Sequence, residues 1–395
     1  MKLWHKGKES DKAVERFTVG DDWWLDRQLV YYDCIASKAH ARMLHKIGLL
    51  SEQERDDLLQ GLDEIIRLDE QGTFEIKLSD EDCHTAIENW LTGKYGETGK
   101  KIHTGRSRND QVLTALRLLY RDAIDAIDEQ AQQLAAAFKG LQKRHGKTAI
   151  PGLTHTRKAM PSSVKMWAGA FIDALADDRE LLKSVRRIVN QSPLGTAAGY
   201  GVPLLLDREF TAKELGFDRV QKNPVYTQLS RGKFESMLLS ALSQILLDLN
   251  RCAADLILFS VPEWGFFKMP EKYATGSSIM PQKVNPDVLE LVRASYHRLL
   301  GFETQLKTTT ANLISGYHRD LQLTKAPVLK SLETTRDALQ IMTGLVAELK
   351  VDESAAKKQM TDELFATDKV YELVQKGVSF REAYRRVAKE LFGGE

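Results

Sequence analysis

Apolar residues recur at alternating four- and three-residue steps through much of the chain. Leu238, Leu242, Ile245, Leu249, Cys252 and Leu256 form one such stripe, and Leu113, Leu116, Tyr120, Ile124, Ile127, Ala131, Leu134 and Phe138 a second. A third begins Val164, Trp167, Phe171, Leu175, is interrupted at Asp178 and resumes at Leu182, Val185 and Val189. Each stripe marks one face of a long amphipathic helix that needs a partner to cover it. Period-two alternation is scarce. Pro203-Leu-Leu-Leu-Asp207 reads as a short extended piece, and no βαβ rhythm is present. The expected class is therefore mainly α, with long helices packed against one another and against partner chains. Boundaries are soft, because composition changes little along the chain. They fall near residues 105 and 356, giving an N-terminal region over 1–105, a helical body over 106–356 and a short C-terminal region over 357–395.

Composition narrows the partners. The 395 residues include 56 Lys and Arg against 55 Asp and Glu, a net charge of +1, so no global field favours nucleic acid or an anionic membrane. A small-molecule substrate fits better. Cys34, Cys83 and Cys252 are widely separated and odd in number, which argues against a disulfide framework and a thiolate zinc site. The N-terminal stretch Met1 to Glu9 has no apolar run of signal-peptide length, and no segment reaches about 18 uncharged apolar residues. The expectation is a cytoplasmic protein without membrane contact. The nine histidines show no HExxH or paired-ligand spacing, and neither a Walker nor a dinucleotide fingerprint is present. No metal, nucleotide or flavin cofactor is expected.

Chemistry-bearing residues concentrate in a few short blocks. Residues 276–286 read Gly-Ser-Ser-Ile-Met-Pro-Gln-Lys-Val-Asn-Pro, where Pro281 and Pro286 prevent a regular helix or central strand. Asn285 is placed for an N-cap, Pro286 for the first helical position and Asp287 for the first turn of an amphipathic run over 288–300. A loop ending on a helix N-terminus, with Ser277, Ser278 and Lys283, suits carboxylate capture and stabilisation of negative charge. His103-Thr-Gly-Arg-Ser-Arg-Asn-Asp-Gln111 leads into the second stripe. There Ser107 and Asp110 have capping-box spacing, while Arg106, Arg108 and Asn109 crowd the helix start with groups that can hold a carboxylate. Residues 151–161, Pro-Gly-Leu-Thr-His-Thr-Arg-Lys-Ala-Met-Pro, form a proline-bounded turn carrying Thr154 and His155, and imidazole is the side chain most often used for proton transfer. Residues 191–201 are rich in small side chains, and Tyr317-His-Arg-Asp-Leu-Gln322 with Lys325 makes a last polar block.

The 276–286 string resembles the signature of the fumarase/aspartase superfamily, and its Met-Pro-Gln-Lys form resembles the argininosuccinate lyase family. Fumarases and aspartases usually carry glycine at the position of Gln282, and adenylosuccinate lyases histidine. The blocks at 103–111 and 317–325 are similar to the same family. At 151–161 the likeness is good through His155 and departs at Thr156-Arg157. The resemblance implies an elongated helical bundle of the fumarase/aspartase type with small N- and C-terminal domains, the C-terminal one shortened. It implies splitting of argininosuccinate into arginine and fumarate by side chains alone, with Ser277 as base and Lys283 beside the developing dianion. His155, oriented by Glu290 and near Thr154, would assist the leaving nitrogen. Asp26, Arg108, Asn109, Asn285, Tyr317, Arg319, Gln322 and Lys325 would bind substrate; Asp22 replaces a serine usual in the family. A homotetramer with sites shared between subunits is also implied.

Overall fold

The structure, a computed structural model, describes residues 11–393. The reading of Met1 to Glu9 lies outside them. Helices dominate, and the longest are Arg108–His145, Val164–Val189, Lys233–Ser260, Asp287–Thr310 and Lys325–Glu348. The first three carry the three stripes. Every residue of the first and second stripes is buried, as burial of one helical face requires. Among the described residues the strands are short and pair in twos. Residues 203–206 are not among them: Leu205 is 97 % exposed, and Asp207 caps the following helix by accepting from the Phe210 N–H at 3.0 Å. An apolar triplet with nothing to pair with did not make a strand.

Packing divides the chain into two compact units. One gathers the chain up to Ala126 with Leu181–Ala241 and Gly301–Leu332; the other gathers Ile127–Glu180, Leu242–Leu300 and the chain from Glu333 onward. In the first, Ala36, Ala39, Leu118, Leu194, Leu215 and Phe217 belong to one buried cluster. The second holds an aromatic group in which Phe138 stacks on Phe171 at 5.4 Å and Trp167 meets Phe267 at 4.8 Å. Trp167 keeps its polar edge satisfied by donating to Asp255 at 2.9 Å. Near the C-terminus the helices Ala366–Gln375 and Phe380–Phe392 pair over Val370, Ala383 and Val387.

Asp178 does not break its helix. The steps 171, 175, 178 and 182 keep it on the buried face, where it is 5 % exposed and one carboxylate oxygen has no hydrogen-bond partner. Burial, then the Asp248 and Asp177 charges, push its pKa up to about 7. An acid whose folded pKa lies above its unfolded value of about 3.9 supports folding below that value, and the support is lost as pH rises through 7. Asp178→Asn is therefore expected to stabilise the chain by about 2–4 kcal/mol at pH 8 and by almost nothing at pH 4. Urea denaturation at both pH values checks this; an equal change at the two would contradict it.

Candidate active site

Five helix starts and two connectors meet around a cavity of about 130 Å³ in the first unit. Asp22 and Asp26 come from the first short helical turns. Asp82 caps the helix Cys83–Tyr95, accepting from the Thr85 N–H at 2.8 Å, and places His84 in its first turn. Arg108 and Asn109 open the helix Arg108–His145, and Lys325 opens Lys325–Glu348. Arg231, Tyr317, Arg319 and Gln322 complete the wall. Arg108, Arg231, Arg319 and Lys325 set against Asp22, Asp26 and Asp82 give the cavity both signs of charge.

Local hydrogen bonding explains why these residues arrive there. Asp110 accepts from the Ser107 N–H at 2.9 Å, which is one half of the expected capping box, while Ser107 Oγ accepts from the Asn109 N–H at 3.3 Å, one residue short of the Asp110 N–H that the other half requires. The other Asp110 oxygen accepts from the N–H groups of Gly195 and Ala197 at 2.8 and 2.9 Å, which ties the small-residue segment 191–201 to the same helix start. Gly195 has φ +87°, and a Cβ there would meet Arg208 Cγ at 2.8 Å, so glycine is required on both counts. Arg106 is buried instead of facing the cavity and donates to Ser37 Oγ at 2.8 Å. Arg108 reaches Glu81 at 3.2 Å and pairs more closely with Asp82.

At the cavity floor the Lys325 ammonium lies between two carboxylates, 3.1 Å from Asp22 and closer still to Asp26. Burial alone would lower the Lys325 pKa, but Asp26 and then Asp22 outweigh it and hold it above the ordinary lysine value. Asp22 is itself raised, first by burial and despite Lys325, because Asp26 shares the same cation. Arg319 and Gln322 both donate to the Thr18 carbonyl, at 2.8 and 3.2 Å, and Arg231 lies over the Tyr317 ring at 5.1 Å. Asp26, Cys83 and His84 offer ligand atoms within 4.8 Å of one another. They do not fit a metal well. The Asp26 carboxylate already holds Lys325 and the Cys83 N–H, and burial keeps the Cys83 thiol protonated by raising its pKa far above normal.

The second unit carries the other assigned residues. Strands Ala149–Thr154 and Arg157–Ser163 form a hairpin that the sequence pattern did not announce. Its turn residues, His155 and Thr156, have φ of +52° and +59°, the left-handed pair of a type I′ turn, here without glycine. Thr154 and His155 are exposed at its tip, and neither bonds to Glu290, which is exposed on the helix Asp287–Thr310. Residues 277–283 form a loop, exposed from Ser278 onward with Ser277 half-buried, closed by antiparallel pairing of Thr275–Gly276 with Val284–Asn285. Ser277 Oγ accepts from the N–H groups of Ile279 and Met280 at 3.4 and 3.2 Å. Asn285 is not the N-cap: it sits in the strand pair, its amide reaching the Gly276 carbonyl at 3.4 Å, and the helix begins one residue later than expected, at Asp287. The strand pairing claims Asn285, and Pro286 accepts the first helical bonds through its carbonyl.

Seven of the eight residues assigned to substrate thus line one cavity, and Asn285 does not. Asp22, Asp82, His84 and Arg231 line it without having been assigned. A signal for two of them existed in the run Asp80-Glu-Asp-Cys-His84, a string of titratable groups at a helix start.

The same architecture occurs in solved structures. Class II fumarase from Schistosoma mansoni superimposes with a TM-score of 0.80 over 95% of this chain and 91% of that one, at 18% identity. An EDDS lyase in complex with formate gives 0.80 over 97% and 76%, at 24% identity. A lyase family model matches residues 6–301, so fold and sequence together define a lyase of the fumarase/aspartase class. Argininosuccinate lyase from Thermotoga neapolitana is 54% identical over 100% of this chain and 99% of its own, and that from Sorangium cellulosum 46% over 99% and 91%. The chain belongs to the argininosuccinate lyase family and is a carbon–nitrogen lyase.

Proposed function

We propose that the cavity binds the arginine half of argininosuccinate and that the loop 277–283 carries the base that splits it. The clustering of Asp26, Arg108, Asn109, Tyr317, Arg319, Gln322 and Lys325, drawn from three separate stretches of sequence, is the observation that carries the reading. The substrate combines carboxylates with a guanidinium and an ammonium group, and the cavity offers both signs of charge at short range. Ser277 takes a proton from the carbon next to a succinyl carboxylate. The freed electron pair forms the carbon–carbon double bond, the carbon–nitrogen bond breaks, and the departing guanidino nitrogen gains a proton with help from His155, Thr154 and Glu290. Lys283 faces the dianion that forms on the way. Fumarate and arginine result.

Complete sites need several copies of the chain, and we propose a homotetramer. His155 and Ser277 lie on exposed segments, and Ile279 and Val284 near Ser277 are 83% and 71% exposed. An apolar groove of about 450 Å³, lined by Val288, Leu291, Val292, Ala338 and Ile341, offers a face for a neighbouring subunit. No helix among the described residues is long and apolar enough to cross a membrane, and the three cysteines are free and buried, which supports a cytoplasmic setting.

Incubation with argininosuccinate should release fumarate, read by its ultraviolet absorbance, whereas adenylosuccinate should not. Release from adenylosuccinate alone would replace this reading. Monomers obtained by dilution should lose turnover; an active monomer would overturn the shared site.

A further inference from the structure

One buried pair at the cavity has no part in the scheme above. His84 lines the cavity and is 4% exposed, and its Nδ1 lies 3.0 Å from an oxygen of Asp33, which is fully buried on the helix Val30–Lys46. Asp33 is itself held in place. Gln111 Nε2 donates to both of its oxygens at 3.1 Å, Ser37 Oγ lies at 3.4 Å, and the buried Arg106 guanidinium acts on it electrostatically. With Nδ1 committed to Asp33, the ring has Nε2 left for a ligand, its contact with the Cys83 Sγ being a long one at 4.0 Å. We propose that His84 anchors the α-carboxylate of the arginine half of the substrate through Nε2, with Asp33 as the residue that positions it.

The inference rests on the arginine-half reading of the cavity. A neutral ring bonded through Nδ1–H would present a lone pair at Nε2 and repel a carboxylate; a protonated ring presents a donor. Burial by itself would lower the His84 pKa, but Asp33 outweighs it, with Asp82 and Asp26 adding to the effect, and leaves it raised. The charged and titratable groups around the ring are Asp33 on one helix, Asp82 and Cys83 on its own, and Asp26 on the short turn that pairs with Lys325. Lys325 is already flanked by two carboxylates and Arg108 by Glu81 and Asp82, so neither has its full charge to give a third anion. His84 is shared with one carboxylate only through Nδ1.

The product L-arginine and agmatine, which is arginine without the carboxylate, separate this role from a structural one. In the full-length chain with ¹⁵N-labelled histidine, arginine should shift the His84 ring signals and agmatine should not. The signals are identified by their loss in His84→Gln. Asp33→Asn should weaken arginine binding about tenfold, the scale of one charge-assisted hydrogen bond, while changing agmatine binding little. The alkaline limb of arginine binding should move to lower pH in that variant, because the group that raises the His84 pKa is gone. Equal responses of His84 to the two ligands, or Asp33→Asn with the original affinity and pH profile, would overturn the proposal. If Asp33→Asn does not fold, the two titrations of the unaltered chain decide. Fumarate release by that chain is measured alongside. Turnover with a His84 indifferent to arginine refutes only this inference, whereas absence of turnover refutes the reading of the cavity.

Discussion

Ser277→Ala is expected to lower kcat by about 10²–10⁴-fold, the range for loss of a positioned general base, with KM little changed. A serine hydroxyl is ordinarily far too weak an acid to take a proton from carbon at neutral pH. At Ser277 two main-chain N–H groups, from Ile279 and Met280, point at Oγ, and both would stabilise an alkoxide. Lys283, exposed on the same loop, adds a positive charge that matters more once substrate and a neighbouring subunit exclude water. Ser278→Ala serves as the control, since it removes an adjacent hydroxyl from the same loop. Steady-state kinetics with argininosuccinate, together with circular dichroism and oligomer size for each variant, separate chemistry from folding. Full activity in Ser277→Ala, or loss in Ser278→Ala alone, would move the base elsewhere.

Lys325→Met should damage both binding and stability. The ammonium is 6% exposed and neutralises Asp22 and Asp26, so removing it leaves two buried carboxylates facing each other. Breaking a buried ion pair from one side costs about 3–5 kcal/mol, far more than the pair's net worth, because the remaining charge stays desolvated. The cost is expected to shrink as pH falls, since protonation of Asp22, whose pKa burial already raises, removes one of the two charges. Adding Asp26→Asn to Lys325→Met should recover much of the lost stability without restoring turnover. Urea midpoints between pH 5 and 8 check the first expectation, and fumarate release the second. A penalty independent of pH would mean that the carboxylates are not the cause.

Long helices were legible because a buried face repeats every three or four residues, and the stripe at residues 113–138 carries that signal throughout its length. The cap that Ser107 and Asp110 make at this helix start was legible for a similar reason, since both partners lie within one turn, although Ser107 bonds the Asn109 N–H in place of the Asp110 N–H. At 149–163 the prolines marked the turn but the strands on either side of it were not legible, because their residues do not alternate between buried and exposed; pairing along those strands holds His155 and Thr156 at positive φ without glycine. Asn285 was misplaced by one position because the competing strand bond to Gly276 is a contact nine residues away.

The sequence by itself determined the helical class, the family and the short blocks from which a site could be built, because periodicity, capping and motif spacing are properties of neighbouring residues. Only the tertiary structure decided that Asp22, Asp26 and Lys325 share one buried charge cluster, that Arg106 turns inward while Arg231 faces the cavity, and that Asp33 holds His84. Those pairings join residues tens to hundreds of positions apart. Their strength comes from burial, which no local pattern of side chains specifies.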